Sequence, residues 1–359
     1  MKKLLFSAYS LDVGGIETAL VTLLNELAKK QYEITLVLEK KQGIFLEDID
    51  KKIKIIEYSP SNNKNVFLRK IINLAKRTKF ILKYKNKFDF SASYATYSLP
   101  GSFVARTASK NSALWCHADY MSLYSNDKIA FEDFFESLRI DKFKKVIFVS
   151  KQGKYSFVKI FPRYEKRTIV CNNLINIDKI LKESKENINY NKNKKETLFV
   201  NVGRHDEKQK KLSRIIEVSK KLKDNGYKFK VLFVGNGKDT NKYKELVKQN
   251  NLQNNIEFLG RKKNPYPYMK MADAIWLTSK YEGYPVVFIE SMVLNKPIIT
   301  TKVSDYEEIE NKYGIITGND IDDIYEKVIE FIQNGFEIEN KFNAIEYNNK
   351  IIKKIEQLF

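Results

Sequence analysis

Two carboxylates eight positions apart, Glu282 and Glu290, stand in the segment SKYEGYPVVFIE, residues 279–290 of a 359-residue chain. Glu282 follows an expected strand, Gly283 permits a turn, Pro285 suits the start of a helix, and Glu290 then falls about two turns into it. The loop carboxylate can point at sugar hydroxyls. The free N–H groups near Val286, Val287 and Phe288 can hold phosphate, and the helix carboxylate can accept hydrogen bonds from a ribose. A carboxylate in so apolar a turn is expensive to bury without partners, which weighs for function over a surface salt bridge.

Arg204, at the end of another expected strand, and Lys210 combine a planar fork with a mobile point charge, a pairing suited to the two phosphates of a nucleoside diphosphate. The run 207–211 also reads as a solvated charged face. Gly14 and Gly15 follow the first strand, where missing Cβ atoms let a phosphate approach backbone N–H groups; a tight turn explains them equally well. Neither GxGxxG nor a Gly-Lys-Ser/Thr loop is present, which disfavours a nicotinamide enzyme or an NTPase. Of the two histidines, His117 follows a strand-like run and precedes Asp119, placing it at a strand end, while His205 adjoins Arg204. A lone histidine is more often structural than catalytic. Cys116 and Cys171 lack metal-ligand spacing and read as reduced thiols, and no DxD-like pair stands where it would hold a metal.

The elements that would position these residues form two series. In the first, strands are expected at 2–9, 33–38, 54–58, 90–94, 113–116, 146–150 and 168–171, with a loop at 10–15 and a helix at 16–30. Residues 187–195 (NINYNKNKK) carry almost no aliphatic side chain, so 176–195 reads as a linker. The second series has strands at 197–202, 230–234, 256–259, 274–278 and 297–301, and helices at 211–224 and 242–250. The fold class is α/β, two doubly wound sheets spanning 1–175 and 196–339, with a last helix at 340–359. Such sheets bind ligands at the carboxyl ends of their strands, so two facing each other create a cleft.

The chain carries 64 Lys and Arg against 44 Asp and Glu, net +20, and residues 1–175 hold 31 of the basic and 17 of the acidic residues. Most of the excess therefore belongs to the first half. From Lys64 to Lys87 nine residues are basic and none acidic, interleaved with large apolar ones. That pattern suits either an anionic membrane surface or a helix covering the sheet with a basic outer face. No pattern of a nucleic-acid reader accompanies the charge, and none is expected as partner. Without an apolar run long enough to span a bilayer or a secretory leader, a cytoplasmic protein is expected.

Arg204 with Lys210, followed by Glu282 and Glu290, resembles the donor site of the retaining glycosyltransferases of family 4, and Gly14-Gly15-Ile16-Glu17 resembles their N-terminal glycine loop. The segment NPYPYMKMADAIWLTSKYEGYPVVFIESM is similar to bacterial capsule and exopolysaccharide glycosyltransferases. The resemblance implies the GT-B architecture of two Rossmann-like domains, the acceptor on the first, the nucleotide sugar on the second, and the last helix returning to the first. It makes Arg204 and Lys210 the diphosphate clamp, Glu282 the contact to donor sugar hydroxyls, Glu290 the ribose contact and Gly15 an N–H donor to the diphosphate from across the cleft. Trp115-Cys116-His117-Ala118-Asp119 looks like the family segment bearing a histidine near the reacting sugar, on the acceptor side with Gly14, Gly15 and Asp119. Lys211, Ser291 and Asn295 replace the family's usual Gly, Ala and Gly, and 303–308 lacks its glycine-rich turn.

The expected activity is transfer, with retention, of a sugar from a nucleotide diphosphate sugar, UDP-linked for preference, to a lipid-linked or glycan acceptor in bacterial surface polysaccharide or glycoconjugate synthesis. Metal and cofactor are not expected, and the site of action is the inner face of the cell membrane. A sugar-nucleotide epimerase on the same fold and a non-catalytic polyanion-binding protein are the alternatives.

Overall fold

The computed structural model describes residues 1–12 and 14–359; Val13, in the loop expected at 10–15, lies outside the described residues. The chain divides into two compact units, Met1–Leu174 with Asn348–Phe359, and Ile175–Tyr347. Thirteen strands are found among the described residues. The first unit holds β1 (Lys2–Ala8), β2 (Tyr32–Leu38), β3 (Lys54–Glu57), β4 (Phe90–Ser93), β5 (Ser112–Cys116), β6 (Lys145–Phe148) and β7 (Thr168–Val170). The second holds β8 (Thr197–Val202), β9 (Phe229–Val234), β10 (Ile256–Gly260), β11 (Ala274–Leu277), β12 (Ile298–Thr301) and β13 (Gly314–Thr317). Helices are α1 (Gly15–Ala28), α2 (Val66–Tyr84), α3 (Leu99–Ala108), α4 (Tyr120–Leu123), α5 (Lys128–Ser137), α6 (Lys151–Ile160), α7 (Ile177–Glu183), α8 (Leu212–Asp224), α9 (Thr240–Gln249), α10 (Tyr266–Met271), α11 (Val286–Val293), α12 (Ile321–Asn334) and α13 (Ala344–Glu356).

Both sheets are parallel throughout, in the orders β3-β2-β1-β4-β5-β6-β7 and β10-β9-β8-β11-β12-β13. Parallel strands need crossover helices on their faces, and covering both faces buries nearly continuous apolar strands such as Leu4–Phe6 and Phe199–Val200. Strand order reverses between β1 and β4 in the first sheet and between β8 and β11 in the second. At those switch points the chains leaving adjacent strands splay apart and open a crevice. In the second unit Phe199, Trp276, Phe331 and Ile216 pack into one core behind that crevice.

Residues 176–195, read as a linker, form part of the second unit, and seven of them make the helix α7. Strand β13 was not expected; its Gly-Ile-Ile-Thr is too short to stand out from the loop beside it, and pairing with β12 supplies what its own sequence does not. Asn348–Phe359 joins the first unit, where Ile351, Ile355 and Leu358 are buried. The Leu358 carbonyl accepts from Asn111 Nδ2 at 2.7 Å and Lys145 Nζ at 2.6 Å. Cys116 and Cys171 are free, buried thiols. Among the described residues no helix is long and apolar enough to cross a membrane.

Candidate active site

The loop leaving β8 and the loop leaving β11 meet beside the switch point of the second sheet. Lys210 Nζ lies 2.5 Å from Glu282 Oε1, with both side chains largely buried. Gln209 joins the rest: its Nε2 donates to Glu282 Oε2 at 3.3 Å and to the Tyr281 carbonyl at 3.4 Å, and its Oε1 accepts from Arg204 Nη2 at 3.0 Å. The Lys280 N–H also donates to the Gln209 carbonyl at 2.7 Å. Arg204, Lys210 and Glu282, named from sequence, thus converge, and Gln209 links them. Sequence reasoning missed Gln209 because nothing in its type marks it; only its place beside Lys210 could have done so.

Close backbone approach holds the β8 loop. A Cβ on Gly235 would fall 1.8 Å from the Gly203 carbonyl oxygen, and one on Gly237 2.2 Å from that of His205. His205 is fully buried among Phe233, Tyr243 and Phe258, its Nδ1 2.9 Å from Thr240 Oγ1. Burial, with the charge of Lys244, pushes its pKa down to about 4, so at neutral pH the ring is an uncharged wedge behind Arg204.

Glu290 sits in α11, buried, and accepts a hydrogen bond from Tyr266 Oη of α10 at 3.0 Å. Burial raises its pKa to about 7, opposed by the Tyr266 hydrogen bond and the charge of Lys179. Tyr266, a second partner the sequence did not flag, has its own pKa raised by burial and by that carboxylate. At the start of α11, where Pro285 offers no capping side chain, the Phe288 N–H donates to the Pro285 carbonyl at 3.0 Å. The expected phosphate-facing donors therefore reduce to Val286 and Val287.

The remaining named residues belong to the first unit. Gly14 precedes α1 in an extended conformation and Gly15 is its first residue, where helix N–H groups are open. His117 follows β5, buried, its ring 4.4 Å from that of Tyr94 and its Nε2 without a partner in the described structure. Burial lowers its pKa to about 3, so it is neutral at physiological pH. Asp119 caps α4: its carboxylate accepts from Ser122 Oγ at 2.6 Å and from the Ser122 N–H at 3.3 Å. That cap gives Asp119 a local structural task alongside the acceptor-side place expected for it.

Residues 182–353 match the family model described as "Glycosyl transferases group 1". A curated relative from Campylobacter jejuni, N-acetylgalactosamine-N,N'-diacetylbacillosaminyl-diphospho-undecaprenol 4-alpha-N-acetylgalactosaminyltransferase, is 27% identical over 311 residues, covering 84% of this chain and 81% of that protein. An uncharacterized glycosyltransferase of Methanocaldococcus jannaschii is 32% identical over 164 residues, 45% of this chain and 40% of that protein. The chain thus covers less than half of this second relative. The crystal structure of Anabaena HepE in complex with UDP and glucose superposes with a TM-score of 0.77 at 15% identity, over 99% of this chain and 100% of that one. The fold is GT-B.

Proposed function

We propose that the chain, whose residues 182–353 match the model of the glycosyl transferases group 1, is a hexosyltransferase-type enzyme that moves a sugar, with retention, from a UDP-sugar to a lipid-linked or glycan acceptor. The observation that carries the reading is the Lys210–Glu282–Gln209–Arg204 network at the carboxyl ends of β8 and β11. Arg204 and Lys210 take the diphosphate, with the Val286 and Val287 N–H groups as further donors. Released from Lys210, Glu282 turns to the hydroxyls of the donor sugar. Glu290 receives the ribose. His117, uncharged, serves the acceptor side within the first unit.

Departure of the diphosphate builds negative charge on its oxygens, and preorganised cations and N–H dipoles stabilise that charge more in the transition state than in the bound donor. Neutralised in this way, the leaving group requires no metal, and turnover is expected to survive EDTA. Loss of activity restored by magnesium would overturn that point. The UDP and glucose in complex with HepE support the donor class, and the diphospho-undecaprenol-linked substrate named for the Campylobacter enzyme supports a lipid-linked acceptor in surface glycan assembly. The protein then works on the cytoplasmic side, peripheral to the membrane. The family match favours neither an epimerase nor a non-catalytic polyanion binder.

Calorimetric titration with UDP tests the site. Lys210→Gln is expected to weaken binding at least tenfold, since hydrogen bonds to charged groups contribute about 1.5–3 kcal/mol each. Unchanged affinity would remove Lys210 from the clamp.

A further inference from the structure

Helix α2 has two apolar faces, and only one of them touches the protein. Phe80 is buried, its ring 5.1 Å from Tyr58, 5.9 Å from Phe103 and 4.9 Å from Tyr84, while Ile72 and Tyr84 are half-buried on the same side. On the opposite side Phe67, Leu68, Ile71, Leu74 and Leu82 are exposed, Phe67 by 71% and Leu82 by 80%. With Ala75 and Thr78 they fall in the helical series 67-71-74-78-82 and 68-71-75, with steps of three or four residues, so they lie on one continuous stripe. Lys70 borders the stripe on one side, and Arg69, Lys79 and Lys83 on the other. A covering helix buries its apolar stripe and turns charge to solvent. Here the wider apolar stripe faces outward and the narrow edge does the covering.

We propose that α2 is an in-plane membrane anchor: its outward stripe inserts among the acyl chains of an anionic leaflet while the flanking lysines and arginines engage the headgroups. Charge selects this occupant, because residues 64–87 hold nine basic side chains and no acidic one. A second copy of the same helix would set like charges against each other. An apolar centre with cationic borders matches instead the depth profile of a bilayer surface, apolar below and anionic at the headgroups. Two aspects of the fold suit the role. Asn65 closes the helix start, its Oδ1 accepting from the Phe67 and Leu68 N–H groups, so the helix is formed before it docks. Lys76 Nζ donates to the Ser59 carbonyl and the Arg77 guanidinium lies over the Phe103 ring, so the helix is held to its unit by side chains on its protein-facing edge. The proposal deepens the reading of a lipid-linked acceptor, on which it rests for its biological sense.

Sedimentation of the full chain with phosphatidylcholine vesicles, with and without phosphatidylglycerol, at low and high salt tests it, with UDP titration of the same samples. Wild-type protein is expected to sediment only with anionic vesicles and less at high salt. Replacing Phe67, Leu74 and Leu82 together with Ser should abolish binding at both salts. Arg69→Gln, Lys70→Gln and Lys79→Gln combined should weaken it roughly a hundredfold at low salt and flatten the salt dependence. Both variants should keep the wild-type melting curve and UDP affinity. Failure of the wild type to sediment with anionic vesicles at low salt overturns the anchor, as does a dimer that the Ser variant dissociates. Absence of UDP binding in the wild type would instead strike the sugar-transfer reading and leave the vesicle result standing.

Discussion

Glu290 has an ionisation tied both to stability and to the ribose role proposed for it. Its folded pKa of about 7 lies above the ordinary value of 4.5, because burial penalises the carboxylate. The folded chain therefore keeps this proton to higher pH than the unfolded chain. Stability from that difference is full below about pH 4.5 and is lost as pH rises through 7, by roughly 3 kcal/mol in all. Urea denaturation at pH 5 and pH 8 should show this loss in the wild type and not in Glu290→Gln. If the ionised carboxylate is what a ribose hydroxyl prefers, UDP affinity should rise up to about tenfold from pH 6 to 8 relative to the same variant. Titration of UDP itself is common to both proteins and cancels in the comparison; a parallel pH response would dissociate Glu290 from the ribose. Sequence made Glu290 legible because a carboxylate among Val286, Val287, Phe288 and Ile289 needs a partner. It could not name Tyr266, which is 24 positions away and brought near only by the packing of α10 and α11.

At the level of elements, strand positions were readable to within a residue or two because parallel strands buried on both faces announce themselves as apolar runs. What escaped was β13, too short to announce itself, and the direction in which α2 turns its apolar residues. Periodicity reports that a helix has an apolar stripe; tertiary packing decides what the stripe meets. The departures from the family pattern also acquire a physical meaning. Lys211, Asn295 and Asp305 all adopt left-handed backbone angles, with φ of 51°, 54° and 54°. Two of them stand where the family uses glycine, and the third lies in the turn that lacks it. Left-handed backbone strains a lysine by about 1–2 kcal/mol, while asparagine tolerates it. Lys211→Gly gives up an ion pair with Glu207 at 3.3 Å, but the Glu207 carboxylate keeps its hydrogen bonds from Ser213 and Tyr243. It should therefore raise unfolding stability by about 0.5–1 kcal/mol, and Asn295→Gly should be nearly neutral. Equal effects in urea unfolding would remove strain as the explanation.

For the whole molecule, the basic excess of the first half was visible in composition, and much of it collects on one helix of the first unit. Less visible was how that unit is completed. Its core and the amino ends of β5 and β6 depend on Ile351, Ile355 and Leu358, residues separated from the rest of the unit by all of Ile175–Tyr347. Removing residues 348–359 uncovers these apolar contacts and leaves Lys145 and Asn111 without the Leu358 carbonyl. Proteolysis is then expected to cut first within residues 1–174, with the second unit the more resistant fragment; the reverse order would show that the segment is dispensable. During synthesis, residues 1–174 leave the ribosome first and must wait, at about 5–20 residues per second, roughly nine to thirty-five seconds for the segment that closes them. In that interval the second unit, whose residues are contiguous, can fold to completion, so the half of the protein made first becomes the half finished last.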